Sequence, residues 1–161
     1  ESAGVRDEDM LIISATGTHR RQTPEEHMGL VTKEVYDRID LVDHVCTDEE
    51  NLAYVGTTTR GTPVWLDKRA LACDKIILTG GVVYHFMAGF GGGPQEHPAR
   101  HCGPGDYYEK PQSGPESRPW KRLQSQVRSA NMNANNPVHA DMMEACSMAN
   151  PTFLVNVVVQ R

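Results

Sequence analysis

Apolar and polar positions divide this chain into short runs of two kinds. Residues 10–15, M-L-I-I-S-A, make a compact apolar run of strand length. Thr23-Pro24-Glu25-Glu26 then sets a helix start, with Thr23 as cap, Pro24 at the first helical position and Glu26 three residues after the cap. Met28, Val31, Val35 and Ile39 recur at helical spacing and predict one amphipathic helix to about Asp40. Leu41 to Val45 and Leu52 to Val55 read as strands on either side of the acidic turn Thr47-Asp48-Glu49-Glu50. Val64-Trp65-Leu66 reads as another strand, and Asp67 to Asp74 as a short helix. Lys75 begins a continuous apolar run, Ile76 to Leu78, expected of a strand buried on both faces. Asn136-Pro137 opens a last helix whose face is Val138, Met142, Ala145 and Ala149. Pro151 ends it, and Phe153 to Val159 is a final buried strand. Short strands alternating with helices predict an α/β fold with a mostly parallel sheet flanked by helices.

One stretch breaks the pattern. Residues 94–130 hold Pro94, Pro98, Pro104, Pro111, Pro115 and Pro119 and almost no aliphatic residues, so neither helix nor strand is expected there. A structureless loop of that length inside a compact domain is itself suspect. Composition narrows the partners. With 161 residues the chain is long enough for one domain with its own core. A net charge of −5 argues against nucleic acid or an anionic membrane surface as partner. No apolar run approaches the roughly 18 residues that span a bilayer. Cys46, Cys73, Cys102 and Cys146 are far apart and form no C-x-x-C pair, which suits isolated thiols in a reducing cytoplasm better than a metal site. The chain starts at Glu1 without a leader, and a fragment or processed piece is expected.

The chemistry collects beyond the strand ends. His19 follows the first strand, in Thr16-Gly17-Thr18-His19-Arg20. His85 follows the run after Lys75, past Gly80 and Gly81 and just before Gly89, Gly91, Gly92 and Gly93. Ligands bind outside the carboxyl ends of strands in open α/β sheets. Two imidazoles facing one cleft suit proton transfer on both sides of a substrate, and the glycine cluster suits close approach of backbone N–H groups to an anion. Loop-carbonyl partners for each histidine are the alternative. His27 and His139 are expected in helix-surface or capping roles, and His44 within a strand. Arg20, Arg21 and Arg60 suit a carboxylate or phosphate, or simple solvation.

Several segments together resemble the N-terminal domain of the nickel-dependent lactate racemase family. They are Thr16-Gly17-Thr18-His19-Arg20, Gly56 to Val64 (G-T-T-T-R-G-T-P-V), His85 to Gly93 (H-F-M-A-G-F-G-G-G), Asn136-Pro137-Val138-His139-Ala140-Asp141-Met142, and Phe153 to Val158. The resemblance covers roughly residues 8–93 and 131–161. It implies a 2-hydroxy-acid racemase or epimerase acting through hydride transfer to a nickel-pincer nucleotide. His19 and His85 would exchange the hydroxyl proton, and Gly91, Gly92 and Gly93 would lie against the cofactor. It also implies a second, C-terminal domain absent from this chain. A non-catalytic α/β module binding a nucleotide or anion is the competing expectation.

The chain departs from that family after Gly93. The family places Arg-Lys next, the lysine tethering the cofactor, where this chain has Pro94 and Gln95. The family's nickel-ligand histidine would fall at Pro111. Codons exist for Gly93 to Gln112 that, read one base later, give G-R-K-S-I-L-P-G-I-A-G-R-E-T-I-M-K-N-H, with lysine and histidine at the family's ordinal positions. Residues 94–130 are therefore expected to be read out of frame, with the frame restored before Asn136, and the polypeptide to be inactive.

Overall fold

A computed structural model describes residues 4–17, 19–85, 88–92, 99–101 and 136–158, with the side chains of His85 and of 99–101 outside that description. Most of the stretch 94–130 therefore lies outside the described residues. The first strand, β1 (Leu11–Ser14), pairs in parallel with β2 (Asp40–Asp43), Leu11 opposite Asp40. Between them run α1 (Pro24–Val31) and α2 (Lys33–Tyr36). The α1 start is as the sequence dictates. Thr23 Oγ1 accepts from the Glu26 N–H, and the Glu26 carboxylate accepts from the Thr23 N–H. The single helix expected to Asp40 is instead broken at Thr32, whose φ of 72° takes a β-branched residue out of helical geometry.

An antiparallel layer follows. β3 (Leu52–Thr57) pairs with β4 (Pro63–Asp67), and α3 (Lys68–Leu71) leaves β4 directly, capped by Asp67. After α3 comes β5 (Ile77–Gly81), then a hairpin of β6 (Tyr84–His85) and β7 (Gly89–Phe90). β8 (Ala99–His101) pairs with β4, Val64 opposite His101. That strand corrects the expectation that no strand forms within 94–130: the three residues lie between Pro98 and Pro104, so each can give its backbone to an edge ladder. α4 (Pro137–Ser147), capped by Asn136, leads to β9 (Phe153–Val157), which pairs in parallel with β5. The α/β class thus holds, with two parallel pairs and an antiparallel layer.

The core lies between β4 and α4. Val64 and Leu66 are fully buried and pack with Ala145 and Ala149, flanked by Val55, Ile76 and Met148. Trp65, between the two, points outward, as strand alternation requires. Two burial expectations fail. β5 buries Leu78 but leaves Ile77 61% exposed, so one face is covered rather than two. β9 is exposed at every position, Phe153 at 63%, although it was expected to be buried. A strand's composition says that its faces tolerate burial, while coverage depends on what packs there. A cavity of about 300 Å³ separates β1 from β5, lined by Leu11–Ala15 and Lys75–Thr79. No helix among the described residues is long and apolar enough to cross a membrane.

Candidate active site

His19 lies in the loop between β1 and α1, exposed, with its N–H donating to the Thr16 carbonyl at 3.1 Å. That loop stands on the end of β2. Thr16 Oγ1 donates to the His44 carbonyl at 2.7 Å, and the His44 N–H donates to the Ser14 carbonyl at 2.9 Å. At the far end of the loop, the Gln22 N–H donates to Asp43 Oδ2 at 2.8 Å, while Ser14 Oγ donates to Gln22 Oε1 at 2.7 Å. Arg20 forms a two-pronged ion pair with Glu26 at 2.8 Å for each bond, and this holds the Glu26 carboxyl down at about 2. The carboxylate or phosphate role open to Arg20 is thus taken by a neighbour within the chain.

Two histidines differ from expectation. His27 is buried rather than on the helix surface, and its Nε2–H donates to Asp43 Oδ1 at 2.9 Å. His44 sits just past the end of β2, not within a strand, and is 1% exposed. Its Nδ1–H donates to Asp67 Oδ2 at 3.3 Å, whereas its Nε2 is buried with no partner among the described residues. Asp67 also takes Arg69: Nε at 2.9 Å, Nη2 at 2.5 Å and the backbone N–H at 3.0 Å. Burial pushes the Asp67 carboxyl up, but the hydrogen bonds from Arg69 and then His44 outweigh it and hold it well below the usual carboxylate range. Arg69 closes the cluster by donating to the Asp43 carbonyl at 3.1 Å. The sequence reading missed Asp43, Asp67 and Arg69. The available signal was a pair of polar residues, Asp43-His44, directly after an apolar strand run, which is where a buried polar network at a sheet end begins.

The backbone of His85 ends β6, opposite Gly89. Its ring, Phe86, Met87 and Gly93 lie outside the described residues. Gly91 N–H donating to the Val83 carbonyl at 2.6 Å extends the hairpin by one step, and Val82 N–H donating to the Val157 carbonyl at 2.8 Å ties it to the end of β9. Gly91 and Gly92 are both buried. Gly92 has φ of 87°, and a Cβ there would stand 3.0 Å from Asn156 Oδ1. Glycine is needed at 92 for its left-handed backbone and for the close approach of the Asn156 side chain.

Two of the quoted motifs meet in space. Thr58 Oγ1 and Thr62 Oγ1 donate to the two oxygens of the buried Asp141 carboxylate, each at 2.6 Å. Thr59 adds its N–H and Oγ1 to Glu144, both at 2.7 Å. The 57–63 turn is thereby clamped to α4, with Arg60 exposed near its tip. Replacing Asp141 by alanine is expected to cost about 2–3 kcal/mol, since it strips two charge-assisted bonds and takes the acceptor from the buried Thr58 hydroxyl, whose oxygen keeps only the Thr62 N–H. Chemical denaturation of Asp141→Ala, Thr58→Val and the double variant measures this. A coupling energy near zero would mean that the bond contributes nothing. His139, half-buried in the first turn of α4, has its backbone N–H capped by Asn136 Oδ1, so the cap is Asn136 and not the histidine.

Among the described residues no group of three or more His, Cys, Asp or Glu is placed to hold a metal ion. Cys46, Cys73 and Cys146 are free thiols, and burial pushes the Cys146 thiol up.

Residues 1–96 match the family described as lactate racemase N-terminal domain. The lactate racemase of Thermoanaerobacterium thermosaccharolyticum is 27% identical over 161 residues, covering 94% of this chain and 34% of that protein. The lactate racemase of Lactiplantibacillus plantarum is 29% identical over 163 residues, covering 95% of this chain and 34% of that protein. The solved structure of the T. thermosaccharolyticum lactate racemase apoprotein has a TM-score of 0.76 at 27% identity, covering 94% of this chain and 35% of that one. A Thermotoga maritima protein of known structure shares the fold, with a TM-score of 0.66 at 20% identity over 94% of this chain and 39% of that chain. This chain spans about a third of the length of these relatives.

Proposed function

Because the chain belongs to the lactate racemase N-terminal domain family, we propose that it is part of the N-terminal domain of a cytoplasmic 2-hydroxy-acid racemase or epimerase, with His19 and His85 exchanging the substrate's hydroxyl proton. The observation that carries this reading is the family match over residues 1–96, a span that contains both histidines and the glycine cluster. Imidazole titrates near neutral pH, so one ring can take the hydroxyl proton on one side of the substrate and a second can return it on the other. This chain covers 34% of these relatives, and the rest of the substrate cleft is proposed to come from a further domain.

The nickel-pincer nucleotide implied by the family resemblance does not fit the residues present. Gln95 stands at the tethering position, and its amide cannot form the link that a lysine amine makes. Pro111 has no ligand atom at the nickel-ligand position. Gly92, proposed to lie against the cofactor, already has the Asn156 side chain against it. No step is derived through that group, and the polypeptide as written is proposed to be catalytically inactive. An out-of-frame reading of 94–130 accounts for both missing residues.

Chiral chromatography after incubation of this chain with D- or L-lactate and the nucleotide tests the inactivity. No interconversion is expected, and clear turnover would refute it. Sequencing the encoding DNA across residues 90–136 tests the frame. Codons at 93–112 that do not give G-R-K and the later histidine one base on would remove the frame proposal and leave the inactivity to be judged by the first assay alone.

A further inference from the structure

The end of β2 does more than terminate a strand. Asp43 and His44 together accept or donate every described bond that joins β2 to the two ends of the His19 loop: Thr16 Oγ1 to the His44 carbonyl, His44 N–H to the Ser14 carbonyl, and Gln22 N–H to Asp43 Oδ2. Ser14 Oγ and Gln22 Oε1 close the neck of the same loop. Each of the two platform residues is braced from behind. The second Asp43 oxygen holds the His27 ring, the Asp43 carbonyl takes Arg69, and the His44 ring is locked to the Asp67 carboxylate that Arg69 also grips. The Asp43 side chain is 4% exposed, so water competes little for its bonds.

We infer that Asp43 is a positioning residue for His19: its buried carboxylate pins the exit of the His19 loop at Gln22 while the adjoining His44 backbone pins the entry at Ser14 and Thr16. A catalytic imidazole on an exposed loop needs such a support, because small displacements of a proton-transferring group cost large factors in rate. The inference rests on the proposed role of His19 for its functional meaning, although the pinning itself is read from geometry.

Amide hydrogen exchange and ring spectra of the isotopically labelled 161-residue chain test it without any turnover. Asp43→Ala is expected to speed exchange at the Gln22 and His19 amides at least tenfold and to shift the His19 ring ¹H–¹³C signal, while β3 and β4 amides stay within twofold. Asp43→Asn, which keeps an oxygen for the Gln22 N–H, is expected to restore most of the protection. Unchanged exchange at Gln22 and His19, or equal acceleration throughout the chain, would overturn the inference. Should Asp43→Ala not fold, Gln22→Pro decides: it removes the N–H that Asp43 Oδ2 accepts, and at least threefold faster exchange at His19 is expected, with no change overturning the proposal. A loop that proves unpinned sinks this inference and leaves the proposed proton exchange standing. A pinned loop in a chain whose histidines prove dispensable sinks the latter alone.

Discussion

In a full-length chain carrying the lysine- and histidine-containing reading across 93–112, His19→Ala and His85→Ala are each expected to lower lactate racemisation by roughly 10²–10⁴-fold, the usual contribution of a positioned acid–base group. Racemisation needs proton exchange with both enantiomers. If each imidazole serves one side, losing either stops interconversion, whereas the remaining ring still serves one enantiomer. Racemisation from D-lactate and from L-lactate is therefore expected to fall in both variants, because conversion in either direction uses both rings. Initial rates from each pure enantiomer, with circular dichroism to establish folding, give the answer. Folded variants that racemise within tenfold of the parent would remove both histidines from the reaction and favour a binding module.

Asp67→Ala is expected to lower the stability of the chain by about 3 kcal/mol at neutral pH. Three losses add up. The His44 ring, 1% exposed and already without a partner at Nε2 among the described residues, loses its Nδ1 acceptor as well. α3 loses its cap, a change that typically costs about 1 kcal/mol. Arg69 loses its carboxylate, but its side chain is 32% exposed and recovers water, which keeps the total below that of a fully buried pair. The pH dependence has a definite sign. The folded carboxyl lies below its unfolded value, so its contribution is complete above the unfolded carboxyl range near pH 4 and is lost as pH falls from there toward the folded value. Urea midpoints of parent and Asp67→Asn, which removes the charge and keeps the shape, should differ most at pH 7 and converge below about pH 4. A gap that stays constant between pH 7 and pH 2.5 would show that the ionised carboxylate contributes nothing.

The helix starts were legible residue by residue. Thr23, Pro24 and Glu26 make their capping box within four positions, and Asn136 caps α4 through Val138 and His139. The positions of β1 to β4 and β9 were legible to within a residue or two, because apolar runs and turn residues are local signals, whereas β5 runs three residues past its apolar run and β6 and β7 were not read. The break at Thr32 was not, since four apolar residues at helical spacing describe a face and leave its continuity open. Nor was β8, whose three residues carry no apolar pattern and owe their strand to the partner β4.

For the candidate site the division is similar. The two histidines and the glycine cluster were found from their places after apolar runs and from their motifs, together with the family those motifs resemble. The support around His19 was invisible, because its bonds join residues far apart in the chain: Gln22 to Asp43, His44 to Asp67 and Arg69 to Asp43. The contact of Thr58 and Thr62 with Asp141 spans still more of the chain. The sequence alone determined the α/β class, the helix caps and the candidate chemistry, since each depends on residues only a few positions apart. Tertiary structure alone decided which polar groups are buried against one another, which faces of β5 and β9 stay open, and what holds the His19 loop. Burial and hydrogen-bond partnership are properties of neighbours in space, and only the folded chain chooses those neighbours.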